Sequence, residues 1–369
     1  RLIPLYPLHF LLFLAFRFFM FYVTAELGLF FFGVRAAALW GVALTIISPL
    51  TNYVTFLGED PLMKNSFFPT SAAAPLVLTS LLLFLKGRIV PAFALAGLTY
   101  YINGLPVNYL LAAFACATVM AANRKEYFKG GAVFFAIAAP WLAWYAWLGA
   151  HNPYGGASPD YDGLLRYWYS GHYFMSAWPA RRILQAAIYT ALAWWFIKSA
   201  VAARRPGTDF LKALCVSFAL CVAAGFVFSD LLPVRTLITL QLYRADSLFC
   251  AVAIILAGGY ASELLRREGG VFKTMLLLNV LSTHLYAGLT VVCAGIIILD
   301  ELEAAPVWRN KLVAALAITG AAGGFFAAVN SPNPLHCAVF GAVCALFALD
   351  RLTGAFASRP ISPRAKLAA

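Results

Sequence analysis

Charge is what this 369-residue chain has least of: 11% of its residues are Asp, Glu, Lys or Arg, against about a quarter in an ordinary soluble domain. That shortage excludes a water-facing globular surface for most of the sequence. There are only five histidines, with no HExxH or similar metal-ligand spacing, so no metal site is expected. Nothing in the chain calls for a cofactor either. The seven cysteines, Cys116, Cys215, Cys221, Cys250, Cys293, Cys337 and Cys344, include no CxxC pair and lie inside apolar runs. They read as small core residues. No internal repeat relates the two halves and no cleavable signal peptide is visible. The sequence begins at Arg1 without a methionine, and its start is expected to lie upstream.

Hydrophobic residues make up 63% of the chain, and mean hydropathy is +0.81. A bilayer core about 30 Å thick asks for roughly 17 to 25 apolar residues per helix, and such runs follow one another almost without pause. They are continuously apolar and do not alternate, which excludes a membrane β-barrel. The 31 Phe, 17 Tyr and 9 Trp suit lipid-facing surfaces and interfacial belts. The fold class expected is therefore all-α, a polytopic transmembrane bundle of about 11 to 12 helices forming one domain. Candidate spans fall at approximately 9–33, 36–57, 71–86, 89–103, 106–121, 131–149, 182–201, 210–228, 248–264, 274–299, 311–328 and 334–350. Around Asn103-Gly104-Leu105-Pro106, either a tight hairpin of two short helices or one broken, re-entrant element fits the pattern.

The formal net charge of +12 does not point to nucleic acid, because Lys and Arg fall in short clusters between apolar runs and form no single basic patch. Lys86 and Arg88; Arg124, Lys125 and Lys129; Lys198, Arg204, Arg205 and Lys212; and Arg266, Arg267 and Lys273 occupy alternate loops. The positive-inside rule puts these in the cytoplasm. Loops 58–70, 103–106, 150–182 and 229–247 then face out, and a bacterial plasma (inner) membrane is the expected location. The basic tail with Arg359, Arg364 and Lys366 falls outside on this count, against the rule, so one helix near the C-terminus is expected to be miscounted.

The polar inventory concentrates on the outer side. Residues 151–182 form the one long polar and aromatic interruption in the chain. Within it, Tyr167, Trp168, Tyr169, Tyr173, Phe174 and Trp178 are expected to lie at the membrane interface as a platform. Outer arginines Arg166, Arg181, Arg182, Arg235 and Arg244 work against the topology rule. Guanidinium forks bind phosphate bidentately, so a lipid phosphate would account for the group; simple snorkelling would account for any one of them. His172 is a candidate acid, base or phosphate donor, and a structural hydrogen bond is the other role open to it. Glu59 and Asp60 place adjacent carboxylates in the Gly58-Glu59-Asp60-Pro61 turn, where a raised pKa would make a base for a sugar hydroxyl and an unshifted one would simply cap a turn. Inside the spans, Arg17 and Glu26 stand nine residues apart, about 13 Å along a helix and too far to pair. His284, with Asn279, Ser282 and Thr283, makes the tenth span polar in its middle.

The order of features resembles bacterial multispan proteins related to the C-type glycosyltransferase superfamily. The short-helix hairpin with a polar turn (100–108), the motif Arg166-Tyr167-Trp168-Tyr169-Ser170-Gly171-His172-Tyr173 in the long outer loop, and Gln241-Leu242-Tyr243-Arg244 entering a helix from outside carry that resemblance, over roughly residues 10–265. It implies a polyprenyl-phosphate-linked sugar donor used at the outer membrane face, in cell-envelope glycan or glycolipid assembly. It implies a catalytic Asp or Glu in a first outer loop, expected upstream of Arg1, with Glu59 or Asp60 as the candidates in this chain. Asn103, Arg166, Tyr173, Arg181, Arg182, Arg235, Gln241 and Arg244 would bind donor. The chain departs from that pattern in having Gly171-His172 where related proteins pair two histidines, and Asn103 where the hairpin turn could carry His. Another class remains open: a transporter or flippase for a lipid-linked or polar solute, with Arg17, Glu26, His284 and the hairpin lining its path.

Overall fold

The computed structural model describes residues 5–52, 55, 57–58, 67–122, 124–151, 161–267, 270–282, 292, 294–297, 299, 306–330 and 334–353. Glu59, Asp60, Asp160, Thr283, His284, Cys293 and the basic tail lie outside them. The described residues contain helices and turns and no strand. In chain order the helices are α1 (Leu5–Phe32), α2 (Arg35–Ile47), α3 (Pro49–Asn52), α4 (Pro69–Leu85), α5 (Ile89–Tyr100), α6 (Gly104–Met120), α7 (Lys125–Ala150), α8 (Tyr161–Trp168), α9 (Ser170–Tyr173), α10 (Ala180–Ala202), α11 (Thr208–Gly225), α12 (Arg235–Ile238), α13 (Asp246–Leu264), α14 (Gly270–Ser282), α15 (Pro306–Asn330) and α16 (Pro334–Thr353). Among the described residues, five segments are long and apolar enough to cross a membrane: Tyr6–Phe32, Lys125–Ala150, Thr208–Leu231, Leu242–Leu264 and Asn310–Val329. The protein is an all-α helical membrane protein.

Helix α13 is the axis of the bundle. Its residues from Leu248 to Ala261 are buried all round, which explains why its sequence carries no polar stripe. Small residues let neighbours come close: a side chain on Gly258 would meet the backbone of Gly41 in α2 at 2.3 Å, and one on Gly28 of α1 would meet Ala38 at 2.9 Å. Backbone approach of this kind is the usual basis of helix packing in lipid, where burial of apolar surface alone gives no drive.

Two boundaries differ from the sequence expectation for identifiable reasons. The span expected at 36–57 stops at Ile47, because Ser48 precedes Pro49 and takes an extended conformation (ψ 127°); a residue before proline is pushed out of the helical region. The segment around 100–108 is a hairpin of two helices, α5 and α6. Asn103 caps α6, its Oδ1 accepting from the Leu105 N–H at 3.1 Å, and Pro106 sits in the first helical turn, where its missing N–H costs nothing.

The loops sort to two ends. At one end Lys86 pairs with Glu26 at 3.4 Å, Arg205 pairs with Glu263, and Gly207 packs on Leu85. Glu26 therefore belongs to the basic end of α1 and not to a path through its middle, while Arg17 lies over the Phe13 ring at 4.8 Å. The described parts of the four segments expected outside converge at the opposite end.

Candidate functional site

The centre of the convergence is a carboxylate. Asp246, in the first turn of α13, is fully buried, and its Oδ2 accepts the N–H groups of Leu57 at 2.6 Å and Gly58 at 2.9 Å. A negative charge at a helix start is favoured by the helix dipole, and two amide donors compensate its removal from water. The turn at 57–58 is thereby fixed against the start of α13. Gly58 is pressed so closely there that a Cβ would meet Arg244 Cα at 2.6 Å.

The long loop folds over this turn. His172 Nδ1 lies 2.7 Å from the Gly58 carbonyl oxygen. A carbonyl can only accept, so Nδ1 carries the hydrogen and the lone pair of the neutral ring belongs to Nε2. Arg182 Nη2 donates to the carbonyls of Leu57 at 2.5 Å and Gly171 at 2.7 Å, and its guanidinium lies 4.1 Å from the centre of the Trp178 ring. Trp178 Nε1 donates to the same Gly171 carbonyl at 3.1 Å. Three segments distant in sequence, 57–58, 171–182 and 244–246, thus form one knot.

A second carboxylate anchors the loop's other side. Asp230 accepts the N–H groups of Met175 and Ser176, each at 3.0 Å, and the Tyr243 hydroxyl at 3.0 Å; the Ser176 hydroxyl also donates to it. Gln241 has left-handed backbone (φ 49°), and its Nε2 donates to the Tyr173 hydroxyl at 2.7 Å. The Tyr109 hydroxyl of α6 donates between the carbonyls of Leu240 and Gln241, at 3.0 and 2.9 Å. Arg166 lies 4.0 Å over the Phe174 ring and donates weakly to Ser176 Oγ at 3.4 Å.

The expected aromatic platform is split. Tyr167, Trp168 and Tyr169 are 78%, 69% and 56% exposed, whereas Phe174 and Trp178 are buried in the protein. The reason is visible in their partners: the two buried rings receive the guanidinium faces of Arg166 and Arg182, a use of aromatic faces that gains strength away from water. Leu165, Phe174 and Ile238 make a small separate core beneath the loop.

Of the residues expected to bind donor, Arg244 and Asn103 line one narrow cleft between α4, α6 and α13, together with Thr70, Tyr109 and Ser247. Asn103 Nδ2 donates to Thr70 Oγ1 at 3.1 Å. Tyr173 and Gln241 join the knot through each other, and His172 and Arg182 through the Gly58 turn. Arg181 and Arg235 stand exposed at the starts of α10 and α12. Asp246 and Asp230, which organise the whole, count among the polar residues of outer loop 229–247 but carried no assigned role in the sequence reading. A carboxylate at the mouth of a long apolar run was the available signal for Asp246.

Beside the knot, an apolar groove of about 620 Å³ runs between α10 and α11. Leu57, Met175 and Trp178 line its loop end, and Ile183, Thr190, Trp194, Phe218 and Val222 continue it along the helices. The same three residues border the polar knot on one side and the groove on the other. Among the described residues no three His, Cys, Asp or Glu side chains group to hold a metal. No protein-family model matches the chain, and neither the curated proteins nor the solved structures contain a match.

Proposed function

We propose that the chain is a glycosyltransferase-like integral membrane protein that takes a sugar from a polyprenyl-phosphate donor at the outer face of a bacterial plasma membrane. The observation that carries this reading is the continuity between the polar knot and the α10–α11 groove at Leu57, Met175 and Trp178. Such a site offers a polar end and a long apolar wall, as an amphiphile requires. Arg244, in its cleft beside Asn103, would stabilise the phosphate as it departs, and fixed donors in a site of low dielectric are effective at that task. In the reaction an acceptor hydroxyl forms a bond to the anomeric carbon, the bond from that carbon to the phosphate oxygen breaks, and the phosphate leaves with the electron pair. The hydroxyl proton passes to a base, for which Glu59 and Asp60, adjoining Gly58 in sequence, or Nε2 of His172 are the candidates.

The test is transfer by the purified full-length protein from a radiolabelled polyprenyl-phosphate sugar to candidate acceptors. Transfer is expected, reduced at least about tenfold by Arg244→Ala. Solute uptake into liposomes without any transfer would replace this reading with a transporter.

A further inference from the structure

A second groove lies at the opposite, basic end, away from the proposed donor site. Helix α7 packs along α5 and not along α6, although only residues 121–124 separate α6 from α7. The gap is an apolar groove of about 600 Å³ lined by Phe93, Leu111, Val119, Phe128, Gly131 and Phe135 among others. Its rims are exposed: Val119, Phe128 and Phe135 are 68%, 68% and 63% accessible. Gly131 faces empty space, since a Cβ there would meet nothing within 4 Å.

The mouth of the groove is cationic. Arg124 lines it, held in place by donating from Nη2 to the Val119 carbonyl at 2.8 Å and from Nε to the Ala121 carbonyl at 3.4 Å. A guanidinium has five N–H donors, and these bonds take two. Lys125 follows directly. Helices α5 and α7 run parallel, for Gly130 packs on Phe93, Gly97 packs on Phe134 and Ile137, and the Tyr101 hydroxyl donates to the Ile137 carbonyl at 2.7 Å. That offset carries Arg88, just before α5, to the level of Lys125. Glu126 pairs with Lys129 at 2.6 Å, and the formal charges of Arg88, Arg124, Lys125 and Lys129 outweigh that of Glu126, so the mouth is net positive.

We propose that this groove holds an acyl chain of one anionic phospholipid from the basic-side leaflet, its phosphate against Arg124 and Lys125. Apolar walls opening under a cationic rim match that molecule at both ends, and basic pockets between membrane helices are a recurrent way of holding anionic headgroups. A zwitterionic lipid would satisfy the walls but not the rim.

The experiment is native mass spectrometry of the full chain taken from vesicles of equal parts phosphatidylglycerol and phosphatidylcholine. One phosphatidylglycerol should be retained in preference. Arg124→Gln together with Lys125→Gln should cut that preference by about fivefold per charge removed. Gly131→Leu should fill the groove and lower retention of both lipids while leaving thermal stability level or raised, because the side chain enters open space and leucine favours helix. Equal retention of the two lipids by the unaltered protein would overturn the proposal. So would Gly131→Leu protein that keeps its fold and its phosphatidylglycerol.

Discussion

Asp246 Oδ2 accepts the amide hydrogen of Gly58 at 2.9 Å, joining residues 188 positions apart in the chain. With the Leu57 amide on the same oxygen, this pair places the first outer turn on the start of the central helix. The contacts of His172 and Arg182 with the same turn depend on that placement. Asp246→Ala would strand two buried amides, each worth about 1–3 kcal/mol when left unsatisfied. Thermal unfolding in detergent should therefore fall well below that of Arg181→Ala, which alters an exposed side chain. Asp246→Asn, which keeps one acceptor oxygen, should lie between them.

Gly58→Ala tests the same contact from the other partner. The new methyl would meet Arg244 Cα and Cγ at 2.6 Å, and the backbone atom of that pair cannot swing aside. Overpacking of this kind costs about 1–3 kcal/mol. Gly149→Ala in α7 is the control, because a Cβ there meets nothing within 4 Å and alanine is the better helix former. A lower unfolding midpoint for Gly58→Ala and a level or higher one for Gly149→Ala is the expected pair of results.

The helical bundle itself was written plainly in the composition, since continuous apolar runs admit little else in a bilayer. The break between two short helices at Asn103 was also legible, and that side chain caps the second of them. Ser48-Pro49 carried the signal that ended α2, although a span drawn on hydropathy alone ran past it. Long-range polar pairing was not legible. Asp246 and Asp230 look locally like ordinary loop or helix-start charges, and nothing in their neighbourhoods names Gly58 or Ser176 as partners. The inward turn of Phe174 and Trp178 was hidden for the same reason: an aromatic run reads as interfacial until the guanidinium groups that stack on it are known.

Asp230 gathers donors from Met175, Ser176 and Tyr243, so Asp230→Ala should loosen the whole segment from α8 to the start of α10. Arg166, exposed beside it, provides the readout: trypsin should cleave after Arg166 faster in Asp230→Ala protein than in the unaltered protein. Tyr243→Phe removes a single donor and should change the cleavage rate far less. Equal rates in all three would mean that the loop is held by its small apolar core alone.

His172 separates support from chemistry, because its two ring nitrogens have different work. Nδ1–H holds the Gly58 carbonyl at 2.7 Å, which leaves Nε2 as the atom able to take or give a proton. Asparagine places an amide N–H near the position of Nδ1 and has nothing at the position of Nε2. His172→Asn should therefore keep the Gly58 contact, with stability within about 1 kcal/mol of the unaltered protein. If Nε2 moves a proton during sugar transfer, the same variant should lose about a hundredfold or more in rate. His172→Ala, lacking both nitrogens, should lose stability as well as rate. Transfer at an unchanged rate in the asparagine variant would confine His172 to holding the turn, and the proton would then have to pass to a carboxylate.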